Sequence, residues 1–164
     1  MTDILVVVLN YKTPELAVQA AQSAAAAMKT FGGAILLVDN DSPDGSFQKM
    51  QLLTQAAEWP DHLDVHVLQS GRNAGFGAGN NFGIQAGLQI CPSADFVYIL
   101  NPDAQAEVDA IEALVAYMNA TPKVAIAGSW VYGETGDDHC SAFRFPGLAS
   151  EFEASIRFGP ITRL

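Results

Sequence analysis

The sequence is poor in cysteine, in basic side chains and in long apolar runs, and each shortage excludes something. Cys91 and Cys140 are the only cysteines in 164 residues. Two are too few for a disulfide scaffold and suit a reduced, cytosolic protein. Lys and Arg total 8 against 18 Asp and Glu, a formal net charge of -10. A surface that acidic repels phosphate backbones, so nucleic acid is not an expected partner. The first apolar run, Ile4 to Leu9, is far too short to span a bilayer. The start, Met1-Thr2-Asp3, has an acid where a secretion signal needs basic residues. No transmembrane segment or signal sequence is expected. What the chain does have is apolar content, 49% of residues, enough to build the core of one domain and to exclude disorder.

That content is distributed in short Val-, Ile- and Leu-rich runs at Ile4–Leu9, Ala34–Val38, Val65–Leu68, Phe96–Leu100 and Val124–Ala127. Runs of this length, apolar on both faces, read as buried parallel strands. Helical segments fall between them. Thr13-Pro14-Glu15 is a helix start, with Thr at the cap, Pro at the first position and an acid near the positive dipole end. Its Ala-rich continuation reaches Met28, and Ser46 to Glu58, Gly79 to Ile90 and Ala104 to Met118 are the other expected helices. Strand alternating with helix predicts an α/β fold, a doubly wound, mostly parallel sheet with helices on both faces.

Ligands in such sheets sit beyond the carboxyl ends of the strands. Four strand ends here are polar: Asn10-Tyr11-Lys12, Asp39-Asn40-Asp41-Ser42, Gly71-Arg72-Asn73-Ala74-Gly75-Phe76-Gly77 and Asn101-Pro102-Asp103. Any one alone reads equally as an ordinary turn. Four on one rim read as a site.

Pro102 would turn the chain out of the sheet and leave the Asp103 carboxylate at the open end of a rigid strand. One carboxylate with diphosphate oxygens and waters is a common way to hold Mg²⁺ or Mn²⁺. The alternative is that Asp103 caps a helix starting near Ala104. The run Gly75-Phe76-Gly77-Ala78-Gly79-Asn80 is a poor dinucleotide fingerprint, because Asn80 replaces the third glycine and the run follows the third strand. Its glycines would still allow close backbone approach to a ligand at a helix start. Asp39 and Asp41 could accept hydrogen bonds from a ribose hydroxyl or a base N–H. His62 and His66 are spaced to share one strand face, but no third nitrogen or sulfur ligand for zinc lies nearby. Asp137-Asp138-His139-Cys140 reads as a solvated loop. Nothing resembles a nucleophile elbow or a Cys–His pair for covalent catalysis.

Taken in order, the motifs Asn10-Tyr11-Lys12, Asp39-Asn40-Asp41-Ser42, Gly71 to Asn81 and Asn101-Pro102-Asp103-Ala104 resemble glycosyltransferase family 2, nearest its rhamnosyltransferase-like branch. Arg144-Phe145-Pro146 resembles a segment those enzymes carry after the metal motif. The resemblance implies a GT-A, Rossmann-like nucleotide-sugar-binding fold and inverting transfer of a sugar, rhamnose being the expected one, to a glycan or lipid-linked acceptor hydroxyl. The implied donor is dTDP- or UDP-linked. By position, Asn10 and Tyr11 would line the base pocket, Asp39 and Asp41 would meet the base or ribose, and Arg72, Asn73, Gly75, Gly77 and Asn80 would close over the nucleotide. Asp103 would carry the metal. The family's usual Asp-x-Asp has Asn101 in its first place, a departure the rhamnosyl-type branch shares.

The family's general base is a carboxylate well downstream of the metal motif. The late acids Glu151 and Glu153 sit in what reads as an amphipathic surface helix, so the base is expected to be absent and the chain to be truncated before its acceptor half. The expected division is a donor-binding domain over 1–142 and an amphipathic tail over 143–164. That tail is expected to support a homodimer, and the protein is expected in the cytoplasm or at the inner face of the membrane as a peripheral protein. Two other readings compete: a catalytically incomplete nucleotide-binding or interaction module, and a nucleotidyltransferase. The latter needs a basic Gly-rich loop after the first strand, where this chain has Asn10-Tyr11-Lys12-Thr13-Pro14.

Overall fold

The structure is a computed structural model describing residues 2–133, 135, 136, 138, 139 and 147, with backbone alone at 138 and 139. The chain divides into two compact units, residues 1–127 and 128–164.

The first unit holds β1 (Asp3–Asn10), α1 (Pro14–Ala27), β2 (Gly32–Asp39), α2 (Ser46–Ala56), β3 (Leu63–Gln69), α3 (Phe76–Ile90), β4 (Phe96–Leu100) and α4 (Ala110–Ala120). The sheet is wholly parallel, in the order β3-β2-β1-β4. The chain winds outward through β1, β2 and β3, then returns through α3 to place β4 on the far side of β1. That reversal puts the topological switch point between β1 and β4, where the carboxyl ends open a crevice. The expected doubly wound α/β architecture is what forms.

The two faces of the sheet carry different helices. Ile4, Val6, Val8, Ile35 and Leu37 point into one core with the Ala-rich face of α1, Met50 of α2 and Ile111 and Val115 of α4. Leu5, Val7, Leu9, Leu36 and Val38 point to the other, under α3. Alanine lets α1 lie close to the strands. On α3, glycine does the same at Gly79, Gly83 and Gly87, one helical turn apart. A Cβ at Gly83 would lie 2.7 Å from Val7 Cγ1 and 3.0 Å from Val38 Cγ2, and one at Gly87 would lie 2.5 Å from Leu5 Cδ1. This face of α3 is shaped for contact with the sheet.

Several expectations are corrected. Val124–Ala127 is not a strand: Val124 N–H donates to Thr121 O in a turn, and Ile126 is 90% exposed. Four apolar residues lack the partner a strand requires. The helix expected from Ala104 begins at Ala110, because residues 104–106 instead pack along α1, where Ala106 N–H donates to Ser23 Oγ. Helix α3 starts at Phe76, earlier than Gly79, so Gly77 and Ala78 are helical. Helix α2 ends at Ala56, two residues short of the expected Glu58.

Thr13 does precede α1, with Pro14 at its first position, but its hydroxyl donates to Asn10 Oδ1 and makes no cap. His62 precedes β3, its ring nitrogen 3.4 Å from Met28 O, so only His66 is on the strand. In the second unit, Val131–Tyr132 (β5) pairs antiparallel with Asp138–His139 (β6), where a loop was expected at 138–139. Gly136, at φ 79°, lies in the connection. Arg144-Phe145-Pro146, Glu151, Glu153 and, apart from Gly147, the expected dimerising tail fall outside the described residues.

Candidate functional site: an amide-rich cleft at the switch point

The carboxyl ends of β1 and β4 border a cleft of about 490 Å³, within the usual range of ligand pockets, roughly 300–1,000 Å³. Leu9, Asn10, Tyr11 and Thr13 line it from the β1 side, and Asn101, Pro102 and Asp103 from the β4 side. Asn40, Asn73, Gly75 and Phe76 complete the wall. Asp103 is the only charged residue in that lining among the described residues.

The floor is built on Asn10. Its Nδ2 donates to Asp39 Oδ1 at 2.8 Å, while its Oδ1 accepts from Thr13 N–H at 2.9 Å and from the Thr13 hydroxyl at 3.2 Å. Asp39 is fully buried, and its Oδ2 accepts Ser42 N–H at 2.8 Å. Ser42 Oγ in turn accepts Lys12 N–H at 3.0 Å. Two loops are thereby locked together, and each contains a non-glycine residue with positive φ: Lys12 at 65° and Asp41 at 58°. Such backbone persists where the surroundings over-determine it, and it gathers at functional sites. The Lys12 ammonium lies 5.0 Å from the centre of the Tyr11 ring, within cation–π range.

A second network joins β2 to the start of α3. Asn40 Nδ2 donates to Asn73 Oδ1 at 3.0 Å, and Gly75 N–H donates to the same oxygen at 3.1 Å. Gly75 precedes the first turn of α3 with φ 88°, a conformation that suits glycine. The first N–H groups of α3 have no partner within the helix, as at any helix start.

Asn101 O accepts Ala104 N–H at 3.2 Å, closing a turn over Pro102. Asp103 is exposed in that turn, and the N-cap position of α4 falls at Asp109, so Asp103 is not a helix cap. Among the described residues no three His, Cys, Asp or Glu side chains gather as a metal cluster. Asp103 and Asn101 still fit a cation whose remaining ligands come from diphosphate and water, a common arrangement for Mg²⁺.

The structure therefore brings together Asn10, Tyr11, Asn73, Gly75, Asn101 and Asp103 of the residues singled out from sequence. Asp39 lies behind Asn10 with both oxygens engaged. Asp41 and Arg72 are exposed on neighbouring loops, Gly77 is in the first turn of α3, and Asn80 is buried on that helix. Asn80 Nδ2 donates to Phe76 O. Sequence reasoning passed over Asn40 and Phe76 as site residues. Asn40 read as a turn former, whereas Phe76, 58% exposed between two glycines, was the more readable signal.

Fold and cleft together define an α/β domain of GT-A type. The chain belongs to glycosyl transferase family 2, whose description it matches over residues 4–160. It is 27% identical over 121 residues to the low-salt glycan biosynthesis hexosyltransferase Agl10 of Haloferax volcanii, covering 74% of this chain and 34% of that protein. Among solved structures it is similar to Staphylococcus aureus TarS 1-349, at 19% identity and TM-score 0.50, covering 73% of this chain and 33% of that one. TarS 1-349 in complex with UDP-GlcNAc gives 18% identity and TM-score 0.53, covering 73% and 32%. The chain spans about a third of the length of these relatives.

Proposed function

We propose that this chain binds the nucleoside-diphosphate part of a sugar donor, as the donor half of an inverting transferase that moves a hexose to an acceptor hydroxyl. One observation carries the reading: in a family 2 chain, the cleft at the switch point is walled by amides and, among the described residues, holds a single exposed carboxylate, Asp103. Amides and backbone N–H groups suit a nucleotide's carbonyl, hydroxyl and phosphate oxygens. Asp103, with Asn101 beside it, would hold Mg²⁺ or Mn²⁺, and the cation would supply charge neutralisation of the departing diphosphate. The TarS complex with UDP-GlcNAc supports a uridine donor. The motif resemblance supports rhamnose on a dTDP or UDP carrier, a glycan or lipid-linked acceptor, and work at the cytoplasmic face of a membrane.

The motif resemblance supports donor binding by this chain without a general base of its own. A positioned base contributes about 10²–10⁴-fold, so residues 1–164 alone should turn donor over slowly or not at all. Rapid acceptor-dependent transfer by this chain would contradict that. The metal role is tested by titrating UDP calorimetrically with Mn²⁺ or with chelator. Affinity should fall with chelator in the parent chain, and Asp103→Ala should bind equally weakly under both conditions. Equal parent affinity with and without metal would overturn the role of Asp103.

A further inference from the structure

The amide of Asn73 has its orientation dictated by its neighbours. A backbone N–H can only donate, so the Asn73 atom 3.1 Å from Gly75 N must be the carbonyl oxygen. That same oxygen is 3.0 Å from the Asn40 amide, so Asn40 must present its NH₂ there. Asn40 is itself 4% exposed, its carbonyl oxygen is 3.3 Å from the Ser70 hydroxyl, and its backbone N–H donates to Asn10 O at 2.8 Å. Asn40 is thus held at both ends, whereas Asn73 is exposed on the cleft wall with its carbonyl oxygen engaged twice. What Asn73 retains for a ligand is its NH₂ group, a donor and not an acceptor.

We infer that Asn40 is a positioning residue that fixes the Asn73 carboxamide with its NH₂ toward the cleft, where it donates to an oxygen of the bound nucleotide. The inference rests on the nucleotide-binding reading above. It predicts selection at that point for an oxygen acceptor over a group that itself donates. An Asn73 free to flip would offer either end and lose this selectivity.

The test is a double-substitution cycle on the full chain, with UDP and Mn²⁺ followed by calorimetry. Asn73→Ala removes the donor, and one hydrogen bond of this kind is worth about tenfold in affinity. Asn40→Asp keeps size but sets a carboxylate against the Asn73 carbonyl, so it should weaken UDP binding to a similar degree. If Asn40 acts through Asn73, the double variant binds no more weakly than Asn73→Ala alone. Additive losses, or no loss in Asn40→Asp, would overturn the inference. Should Asn40→Asp fail to fold, the parent chain still decides: the side-chain NH₂ resonances of Asn73 must shift on adding UDP, and unchanged resonances contradict the assignment. Absence of any UDP binding by the parent chain would instead count against the nucleotide reading itself.

Discussion

Asn10 shows how one side chain can tie three pieces of backbone to a site floor. Its amide gives a hydrogen to buried Asp39 and takes two from Thr13, so the exit from β1, the exit from β2 and the start of α1 move as one. Replacing it with Ala leaves the buried Asp39 carboxylate short of a donor, a change that costs about 1–3 kcal/mol or more when the group is charged. Asn10→Ala should therefore lower chemical-denaturation stability by at least that amount, and an unchanged midpoint would show that Asp39 finds another donor. Gly77 is the opposite case. A Cβ there meets nothing within 4 Å, and the position is helical. Gly77→Ala should stabilise the fold by up to about 1 kcal/mol through helix propensity. If a phosphate approaches the start of α3, the same methyl should weaken UDP binding, so stability and affinity move in opposite directions.

Helix α3 illustrates the same trade at the scale of an element. Its glycines cost helix propensity, yet they allow it to lie directly on β1 and β2. Gly83→Ala gains about 1 kcal/mol of propensity but drives a methyl against the β-branched Val7 and Val38, an overpacking penalty of about 1–3 kcal/mol. The net change should be destabilising, and a higher melting temperature would show that α3 can lift away cheaply. Helices α1 and α2 are joined by the Glu15–Lys49 ion pair. The hydrogen bond from Lys49 holds the Glu15 carboxyl below its ordinary value. Its small contribution is present above the ordinary carboxylate range and is lost as pH falls through the lowered value. Lys49→Ala should move the Glu15 titration upward in an NMR pH series, and an unmoved curve would mean that the pair does not persist in solution.

These elements also explain what was legible from sequence. Strands β1 and β2 announced themselves because both faces are covered, which demands continuous apolar residues, and β4 because its run is apolar throughout even though Val97 and Ile99 are exposed. The start of α3 was hidden because Gly75, Gly77 and Gly79 crowd it, and propensity alone argues against a helix there. The irregular stretch before α4 was hidden because a hydrogen bond to Ser23, far away in sequence, holds it. At the site, the strand-end position of Asn10, Asn101 and Asp103 was readable from polarity after an apolar run. The inward-facing role of Asp39 was not, since Asp reads identically whether it faces a ligand or an amide behind the wall.

Across the whole molecule, topology places the site. Reversal of winding after β3 leaves a crevice beyond the paired carboxyl ends of β1 and β4, and the amide networks line that crevice with donors and acceptors held in fixed directions. The charge of -10 makes this an unfavourable surface for polyanions in general, so under the proposed reading an anionic ligand would draw local compensation from a cation at Asp103, backbone N–H groups and the amides. No helix among the described residues is long and apolar enough to cross a membrane. Whether the cleft is a nucleotide site is decided by calorimetric titration of the 164-residue chain with UDP, dTDP and ADP in the presence of Mn²⁺. Saturable one-to-one binding of UDP or dTDP is expected, with weaker binding of ADP and loss of the pyrimidine signal on adding chelator. No binding of either pyrimidine diphosphate by a folded chain would contradict the assignment.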